Sequence, residues 1–132
     1  MNLEMEMFVV GSLGVNCYIL YNEKDHLGVA IDPGGDGEIL LRYLEDKKIE
    51  LIAILNTHAH VDHIGAVDFL RDKTGARFYV HEADAPMLSD SKLNLSAFMG
   101  MPIVTRPADV LLHDGEVLNF GDIKLTVLHT PG

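Results

Sequence analysis

The sequence predicts a mixed α/β fold in which helices pack over β-sheets, and three features of the chain predict it. Short apolar segments separated by turn residues fill positions 7–31. Segments with helical periodicity then alternate with apolar runs over positions 36–88, and the last 20 or so residues again read as short strands. Strands, then strand–helix alternation, then more strands indicate layered sheets and helices.

The N-terminal part reads as three strands, at residues 7–10, 17–21 and 28–31. β-branched and aromatic residues dominate these segments, and polar or glycine-containing turns separate them. The third strand is followed by Asp32-Pro33-Gly34-Gly35, where proline and glycine stop strand pairing. We therefore expect a turn at the end of this strand.

Residues 36–48 have the period of a helix. Ile39, Leu40, Tyr43 and Leu44 fall on one face at 3.6-residue spacing. Acidic residues open the segment and Lys47-Lys48 closes it, which suits the helix dipole at both ends. We expect an amphipathic helix here.

The middle of the chain predicts a buried strand, a loop and a second helix. Residues 51–55 are all apolar and do not alternate, which is typical of a strand buried on both faces. Residues 56–61 form the loop. The second helix then runs through Ile64, Val67 and Leu70 and ends near Gly75.

The remainder predicts a strand at residues 77–80 and a short helix at 82–88. Residues 89–107 lack a clear period and read as irregular. Two further strands, at 117–120 and 124–127, flank the turn Gly121-Asp122.

Composition excludes several classes of function. A chain of 132 residues is about one domain, so we expect a single domain over residues 1–132. Its 10 Lys and Arg against 20 Asp and Glu give a net charge of −10, which argues against nucleic acid or an anionic membrane as a partner. The acidic start of the chain is unlike a secretory signal. The single cysteine, Cys17, fits a reducing compartment, so we expect a cytoplasmic protein with Cys17 as a packed thiol.

The loop after the buried strand carries the chemistry: Thr57-His58-Ala59-His60-Val61-Asp62-His63. Residues two apart at the end of a strand point the same way, so His58 and His60 can meet at one point. Asp62 and His63 follow at the turn into the helix and can face a second, nearby point. Imidazole and carboxylate are ligands of zinc and similar divalent metals. The alternative is a polar surface loop, but four potential ligands at this spacing favour a metal site.

This motif resembles that of the metallo-β-lactamase superfamily, in which His-x-His-x-Asp-His follows a buried strand. The resemblance implies an α+β fold, the αββα sandwich, with one or two metals at its sheet edges. Within the superfamily the chain is most similar to the hydroxyacylglutathione hydrolase (glyoxalase II) branch. The matching segments are residues 16–18, 31–34, 57–65, 80–84, 94–96, 114–116 and 128–132.

The resemblance also implies roles for individual residues. His58 and His60 would bind the first metal, and Asp62 and His63 the second. Asp32 would orient ligands or water from behind the metals, the alternative being a turn aspartate before proline. Thr57 would brace the loop. No ligand role is implied for His26, His81 and His113.

The resemblance further implies that the chain is the N-terminal portion of a longer domain, truncated before the third ligand of the first metal. In relatives His-Thr-Pro-Gly runs on to another histidine, so His129 is the non-ligand member of the motif. We expect the second sheet to be incomplete and metal binding by this chain to be weak or absent, with the chain alone inactive. An uncovered sheet edge favours a dimer or higher oligomer.

For the intact protein the resemblance implies hydrolysis of a small-molecule thioester by hydroxide bound to the metal. Zinc is the expected metal, with iron or manganese as alternatives. Other readings stay open: another hydrolase of the same fold, a mononuclear-iron sulfur dioxygenase, or a non-catalytic remnant acting as an interaction module.

Overall fold

The computed structural model describes residues 3–11, 14–57, 64–88, 90 and 105–127. Within these residues the mixed α/β prediction is confirmed, with eight strands, two α-helices and one short 3-10 helix. They are β1 (Leu3–Val10), β2 (Val15–Asn22), β3 (Leu27–Ile31), α1 (Gly37–Asp46), β4 (Glu50–Asn56), α2 (Val67–Thr74), β5 (Arg77–His81), the 3-10 helix Ala85–Met87, β6 (Val110–Leu112), β7 (Val117–Phe120) and β8 (Ile123–Thr126).

Six strands form one sheet in the order β1-β2-β3-β4-β5-β6. The first three strands pair antiparallel, and β3 to β6 run parallel to one another. Strands β7 and β8 form a separate antiparallel hairpin. In the part of the chain that the structure describes, no helix is both long enough and apolar enough to cross a membrane.

Two apolar clusters lie on opposite faces of the six-stranded sheet. The first contains the buried residues of both helices, such as Leu40 and Leu70, together with Cys17, Ile54 and Phe78 of the sheet. We call this side the helix face. The second cluster joins Val29, Ala53, Leu55 and Leu112 of the sheet to Leu118, Phe120 and Ile123 of the β7–β8 hairpin. We call this side the hairpin face.

Strand β4 supplies residues to both clusters, as its apolar run predicted. Ile54 belongs to the helix-face cluster, and Ala53 and Leu55 belong to the hairpin-face cluster. All three are at most 9% exposed. The strand therefore lies inside the molecule, and in the sequence the histidine-rich segment follows directly after its carboxyl end.

The first helix differs in two ways from the sequence prediction. Ile39 is 59% exposed, so only Leu40 and Leu44 of the predicted apolar face are fully buried. The helix ends at Asp46 because Lys48 takes a left-handed conformation (φ 57°). The Lys48 and Ile49 amides then donate to the carbonyls of Glu45 and Leu44, as in a Schellman motif. The two lysines therefore follow the helix.

Other boundaries moved because tertiary pairing decided them. Strand β1 begins at Leu3 and not at residue 7, since all eight of its residues pair with β2. The three-residue strand β6 was not predicted. The predicted helix at 82–88 is reduced to one 3-10 turn, Ala85–Met87. The second helix ends as predicted, with Gly75 in a left-handed conformation (φ 75°).

Candidate metal centre

The residues on either side of the predicted metal-binding loop lie near the carboxyl ends of two adjacent parallel strands. β3 and β4 are paired up to Ile31 and Leu55, and the chain continues from them to Asp32 and Thr57. The four predicted ligands, His58, His60, Asp62 and His63, lie outside the described residues, so their metal-binding role stays a prediction. The structure does describe the residues at both ends of the loop, and these show how the loop is held.

Asp32 holds the beginning of the loop. Its side-chain oxygens accept hydrogen bonds from the Thr57 backbone N–H (2.8 Å) and from the Thr57 hydroxyl (2.6 Å). Its own N–H donates to the carbonyl of Leu55 (2.9 Å). Asp32 is only 6% exposed and has a φ of 56°, a conformation that aspartate tolerates better than most residues. These bonds fix the residue immediately before His58.

The residues after the loop, Gly65 and Ala66, are held by Gly34 and Pro33, which follow Asp32 in the chain. The Ala66 N–H donates to the carbonyl of Pro33 (2.9 Å). Gly65 lies so close to Gly34 that an added Cβ would collide with the Gly34 carbonyl oxygen. Glycine is required here because the two backbones touch.

Residues 32–36, which we call the anchor loop, therefore contact both ends of the histidine-rich loop. The anchor loop is itself fixed against the turn between β1 and β2. Gly35 packs on Gly11, where an added Cβ would lie 2.7 Å from Gly11 Cα, and the Gly11 N–H donates to Asp36 (3.0 Å). The described residues on either side of the predicted ligands, Thr57 and Gly65, are therefore both held by one loop.

The sequence analysis singled out Asp32 and Thr57 but missed the role of the glycines. A signal was present, because Gly34, Gly35 and Gly65 stand directly beside the motif residues. Three glycines next to a ligand motif indicate backbones that approach closely. That Asp32 and Thr57 support metal ligands stays a prediction, but their mutual contact is consistent with it.

Cys17 belongs to the helix-face cluster and lies close enough to Asp32 to feel its charge. Its thiol is fully buried, and burial, aided by the negative charge of Asp32, raises its pKa from 9.0 to about 12. A thiol with so high a pKa is neither a nucleophile nor a ready metal ligand near neutral pH. The prediction of a packed thiol is confirmed.

A cavity of about 270 Å³ opens beside Thr57, between the hairpin face of the sheet and the β7–β8 hairpin. Its walls are mainly apolar, and Asn56, Thr57, His81 and Thr126 are its polar lining residues. His81 is the last residue of β5, and its Nδ1 accepts the N–H of Ala83 (3.1 Å). The sequence analysis assigned His81 no role, and nothing in its local pattern placed it beside Thr57.

The other two histidines expected to have no ligand role lie elsewhere. His113 is exposed, and its Nδ1 is 3.2 Å from a carboxylate oxygen of Glu82. His26 occupies the turn between β2 and β3 with a φ of 61°. Within the described ranges, no three histidine, cysteine or acidic side chains come together as a potential metal site.

The residues at this edge of the sheet fit a divalent metal by their donor chemistry. The three histidines and one aspartate of the loop supply imidazole and carboxylate, and a buried carboxylate holds the residue that precedes them. The loop leaves a buried strand, and an open cavity adjoins it. Such an arrangement suits a metal that must be reached by a small molecule.

Comparison with known proteins identifies relatives of this chain. Residues 10–132 match the model of the metallo-beta-lactamase superfamily. The probable metallo-hydrolase YqgX of Bacillus subtilis is 39% identical over 124 residues, which is 93% of this chain and 58% of that protein. The hydroxyacylglutathione hydrolase GloC of Haemophilus influenzae is 26% identical over 132 residues, covering 98% of this chain and 62% of GloC.

Solved structures also identify relatives with the metallo-beta-lactamase fold. The BLEG-1 B3 metallo-beta-lactamase superposes with a TM-score of 0.92 at 42% identity, covering 98% of this chain and 62% of that one. TTHA1623, solved in a di-iron-bound form, superposes with a TM-score of 0.78 at 33% identity, covering 96% and 61%. This chain thus spans about 60% of the length of the relatives that it matches.

The match over residues 10–132 and the superpositions confirm the predicted fold class. They do not distinguish the glyoxalase II branch, which stays a prediction. The anchored histidine-rich loop, the mixed sheet and the helix and hairpin faces all agree with this result, and the chain belongs to the metallo-beta-lactamase superfamily.

Proposed function

We propose that the whole protein is a metal-dependent hydrolase of small acyl substrates, with thioesters such as hydroxyacylglutathione as the first candidates. The anchored loop is the observation that carries the proposal, because Asp32 and Gly34 hold both ends of the segment with the four predicted ligands. Similarity to GloC supports a thioester substrate.

In this proposal His58 and His60 hold one metal and Asp62 and His63 hold the other. A bound divalent metal would supply a water molecule ionised near neutral pH and would polarise the acyl carbonyl. Asp32 orients the start of the loop through Thr57, and the cavity beside Thr57 receives part of the substrate. A thiolate leaves readily, so the chain need not supply a strong general acid.

Zinc is the first candidate metal, with iron and manganese as alternatives. The donor set of imidazole and carboxylate accommodates all three. The di-iron form of TTHA1623 supports iron as an alternative. Catalytic zinc normally has three protein ligands. Because the loop offers two for each metal, we expect weak or no metal binding by these residues alone.

A second candidate function is the hydrolysis of β-lactams. It is favoured by the 42% identity to the BLEG-1 B3 metallo-beta-lactamase, higher than the identity to GloC. In both reactions an activated water molecule attacks an acyl carbonyl, so the same histidine-rich loop can serve either reaction. The leaving group and the shape of the cleft distinguish them.

The test measures metal content and hydrolysis of lactoylglutathione and of a cephalosporin, with zinc, iron or manganese added. It uses the chain and a version extended to the length of the B. subtilis relative. We expect thioester hydrolysis by the extended version, and its loss in His58→Ala and Asp62→Ala. His113→Ala is the matched control, since His113 is exposed and outside the loop.

Asp32→Ala tests the anchor separately. We expect the zinc affinity of the extended version to fall about 10- to 100-fold, the usual cost of losing a group that orients ligands. Asp46→Ala is the control, because Asp46 is an exposed carboxylate at the end of α1 and lies outside the anchor loop. Turnover that survives in His58→Ala, or activity in the cephalosporin assay alone, would contradict the thioester proposal.

A further inference from the structure

The edge segment, residues 105–112, consists of β6 and the residues directly before it, and β6 is an outer strand of the sheet formed by the described residues. β6 has three residues, and it pairs with β5. In this segment, all of which the structure describes, Leu112 is the one buried apolar side chain. A segment with so little buried apolar surface needs other contacts to stay in place.

A cluster of charged side chains, which we call the clasp, supplies these contacts; its members are Arg71 and Arg106 with Asp68, Asp72 and Asp109. The guanidinium of Arg71, on α2, donates to the backbone carbonyls of Arg106 (3.0 Å) and Pro107 (2.9 Å). It also donates to carboxylate oxygens of Asp68 and Asp109, each at 3.3 Å. Only 13% of the Arg71 side chain is exposed. Because the guanidinium is planar, these bonds hold the backbone of the edge segment against α2 in one geometry.

Asp109 extends the pairing between the edge segment and β5 by one position. Its N–H donates to the carbonyl of Phe78 (2.8 Å), and its carboxylate accepts the Phe78 N–H (2.7 Å). The same carboxylate oxygen accepts from Arg71, whose guanidinium lies over the Phe78 ring, 5.3 Å from the ring centre. Arg71 therefore holds the carboxylate that takes the place of a strand partner for Phe78.

Arg106 forms the outer part of the clasp. Its backbone N–H donates to Asp68 (3.0 Å), and its guanidinium donates to Asp72 (2.7 Å). The Arg106 side chain is 54% exposed and that of Asp72 is 65% exposed. Ion pairs at such exposed positions contribute little, because water and salt screen them. The closed position of the edge segment therefore depends on Arg71 more than on Arg106.

Leu112 connects the edge segment to the cavity beside Thr57. It lines that cavity and belongs to the hairpin-face cluster. When the edge segment leaves β5, Leu112 leaves with it, and the cavity opens on that side. This opening breaks the clasp and the contacts of one buried leucine but leaves the helix face packed, so it costs less free energy than global unfolding.

We propose that the edge segment opens separately from the rest of the fold, that Arg71 keeps it closed, and that its opening gives access to the cavity beside Thr57. The inference does not depend on the proposed hydrolase activity, because it concerns how this chain opens. For the proposed function it adds a route by which a small molecule reaches the cavity.

Thiol labelling of the folded chain measures the opening. Leu112→Cys places a thiol in the edge segment, and Cys17 reports on the helix face of the same molecule. The chain is treated with iodoacetamide, and peptide mass spectrometry gives the labelling rate of each thiol. We expect the introduced thiol to be labelled at least about tenfold faster than Cys17, because local openings cost less than global unfolding. Leu70→Cys is the matched control on the helix face, and its thiol should be labelled as slowly as Cys17.

Arg71→Lys, combined with Leu112→Cys, tests the clasp, because lysine keeps the charge but lacks the planar group. We expect labelling of the introduced thiol to rise about tenfold, the effect of losing hydrogen bonds to a charged group. Arg106→Gln should raise it about threefold or less, as for an exposed ion pair. Arg77→Lys is the matched control, because Arg77 is an exposed arginine of β5, and it should leave the rate unchanged.

Ile54→Val, also combined with Leu112→Cys, separates local opening from global unfolding. Ile54 is fully buried on the helix face, which stays packed when the edge segment opens. We expect labelling of Cys17 to rise about fivefold, the usual effect of removing one buried carbon. Labelling of the introduced thiol should not change, because the substitution affects the closed and locally open forms equally.

Amide hydrogen exchange provides a second measurement on the unsubstituted chain. The Asp109 N–H is bonded to Phe78, and the Asp32 N–H is bonded to Leu55 inside the sheet. We expect Asp109 to be protected at least about tenfold less than Asp32. Equal protection, equal labelling of the introduced thiol and Cys17, or an equal response of both thiols to Ile54→Val would overturn the separate opening. An unchanged labelling rate in Arg71→Lys would overturn the role of Arg71.

Discussion

The two faces of the six-stranded sheet are covered to different extents. On the helix face, both helices pack against the sheet, and Phe78, Ile54 and Leu70 are fully buried. On the hairpin face, β7 and β8 contribute a smaller cluster and leave a cavity beside Thr57. The two faces share the same strands, so the difference comes from what lies over them.

The edge strand β1 shows the difference most directly. Phe8 and Val10 point to the helix face and pack against its cluster. Met5 is paired with Leu20, a hairpin-face residue, yet Met5 is 60% exposed. The hairpin-face side of β1 is an exposed apolar stripe, consisting of Leu3, Met5, Met7 and Val9. Among the described residues, the apolar side chains on the hairpin-face side of β1 are therefore less covered than those on its helix-face side.

The largest expected effect is the loss of a helix-face side chain. Phe78→Ala should lower the free energy of unfolding by about 3–5 kcal/mol, because Phe78 is fully buried and its removal leaves a void. Phe120→Ala, on the hairpin face, should cost about 2 kcal/mol, since its surroundings are less closed. Urea unfolding measures both. Equal losses would show that the two faces are equally important to stability.

The anchor loop touches Gly65, and Gly65→Ala tests this contact. The added methyl group must push Gly34 away, so we expect a loss of about 1–3 kcal/mol in unfolding free energy. We also expect weaker zinc binding by the extended version. Gly75→Ala is the matched control. It has open space around it, and costs only the strain of its φ of 75°, about 1 kcal/mol. A smaller effect at Gly65 than at Gly75 would argue against a fixed loop.

The buried thiol of Cys17, on the helix face, should make the stability of the fold depend on pH. In the unfolded chain Cys17 ionises near pH 9.0, but in the folded chain its pKa is about 12. The folded state keeps the proton that the unfolded state loses, so stability is fully present below pH 9 and falls from pH 9 to 12. The loss of unfolding free energy amounts to about 1 kcal/mol by pH 10. Urea unfolding across this pH range should show that the unfolding free energy of Cys17→Ala declines less steeply than that of the parent chain. Equal declines in the two proteins would contradict the raised pKa of Cys17.

The smallest effect on stability is expected at the exposed stripe. We propose that the chain self-associates through β1, which is an edge strand of the sheet formed by the described residues and carries the apolar stripe. Met5→Thr with Met7→Thr should change the unfolding free energy by less than about 0.5 kcal/mol and shift the chain toward monomer. Sedimentation velocity measures the fraction of monomer. Glu4→Gln with Glu6→Gln, on the other side of β1, is the control and should leave that fraction unchanged. A monomeric parent chain would reject the proposal.

The sequence predicted those parts of the fold whose signal is local. Strand β4 was evident from an uninterrupted apolar run, and α2 from the spacing of Val67 and Leu70 and from the glycine at its end. The predicted start of α2 was wrong, because the helix begins at Val67 and Ile64 precedes it. Strand β6 could not be predicted, because three residues carry too little pattern and pairing with β5 defines them. The exposed position of Ile39 depends likewise on how α1 sits on the sheet.

For the candidate site, the sequence by itself determined which donor groups follow the buried strand, three histidines and an aspartate, because residue identity and spacing are local properties of the chain. Their metal-binding role stays a prediction. Tertiary structure alone decided how that loop is held, since Thr57 is bound by an aspartate 25 residues earlier and Gly65 touches a glycine of the same anchor loop. It also brought His81 beside Thr57 and opened the cavity between sheet and hairpin. Contacts between distant residues depend on strand order and packing, which no short segment of sequence encodes.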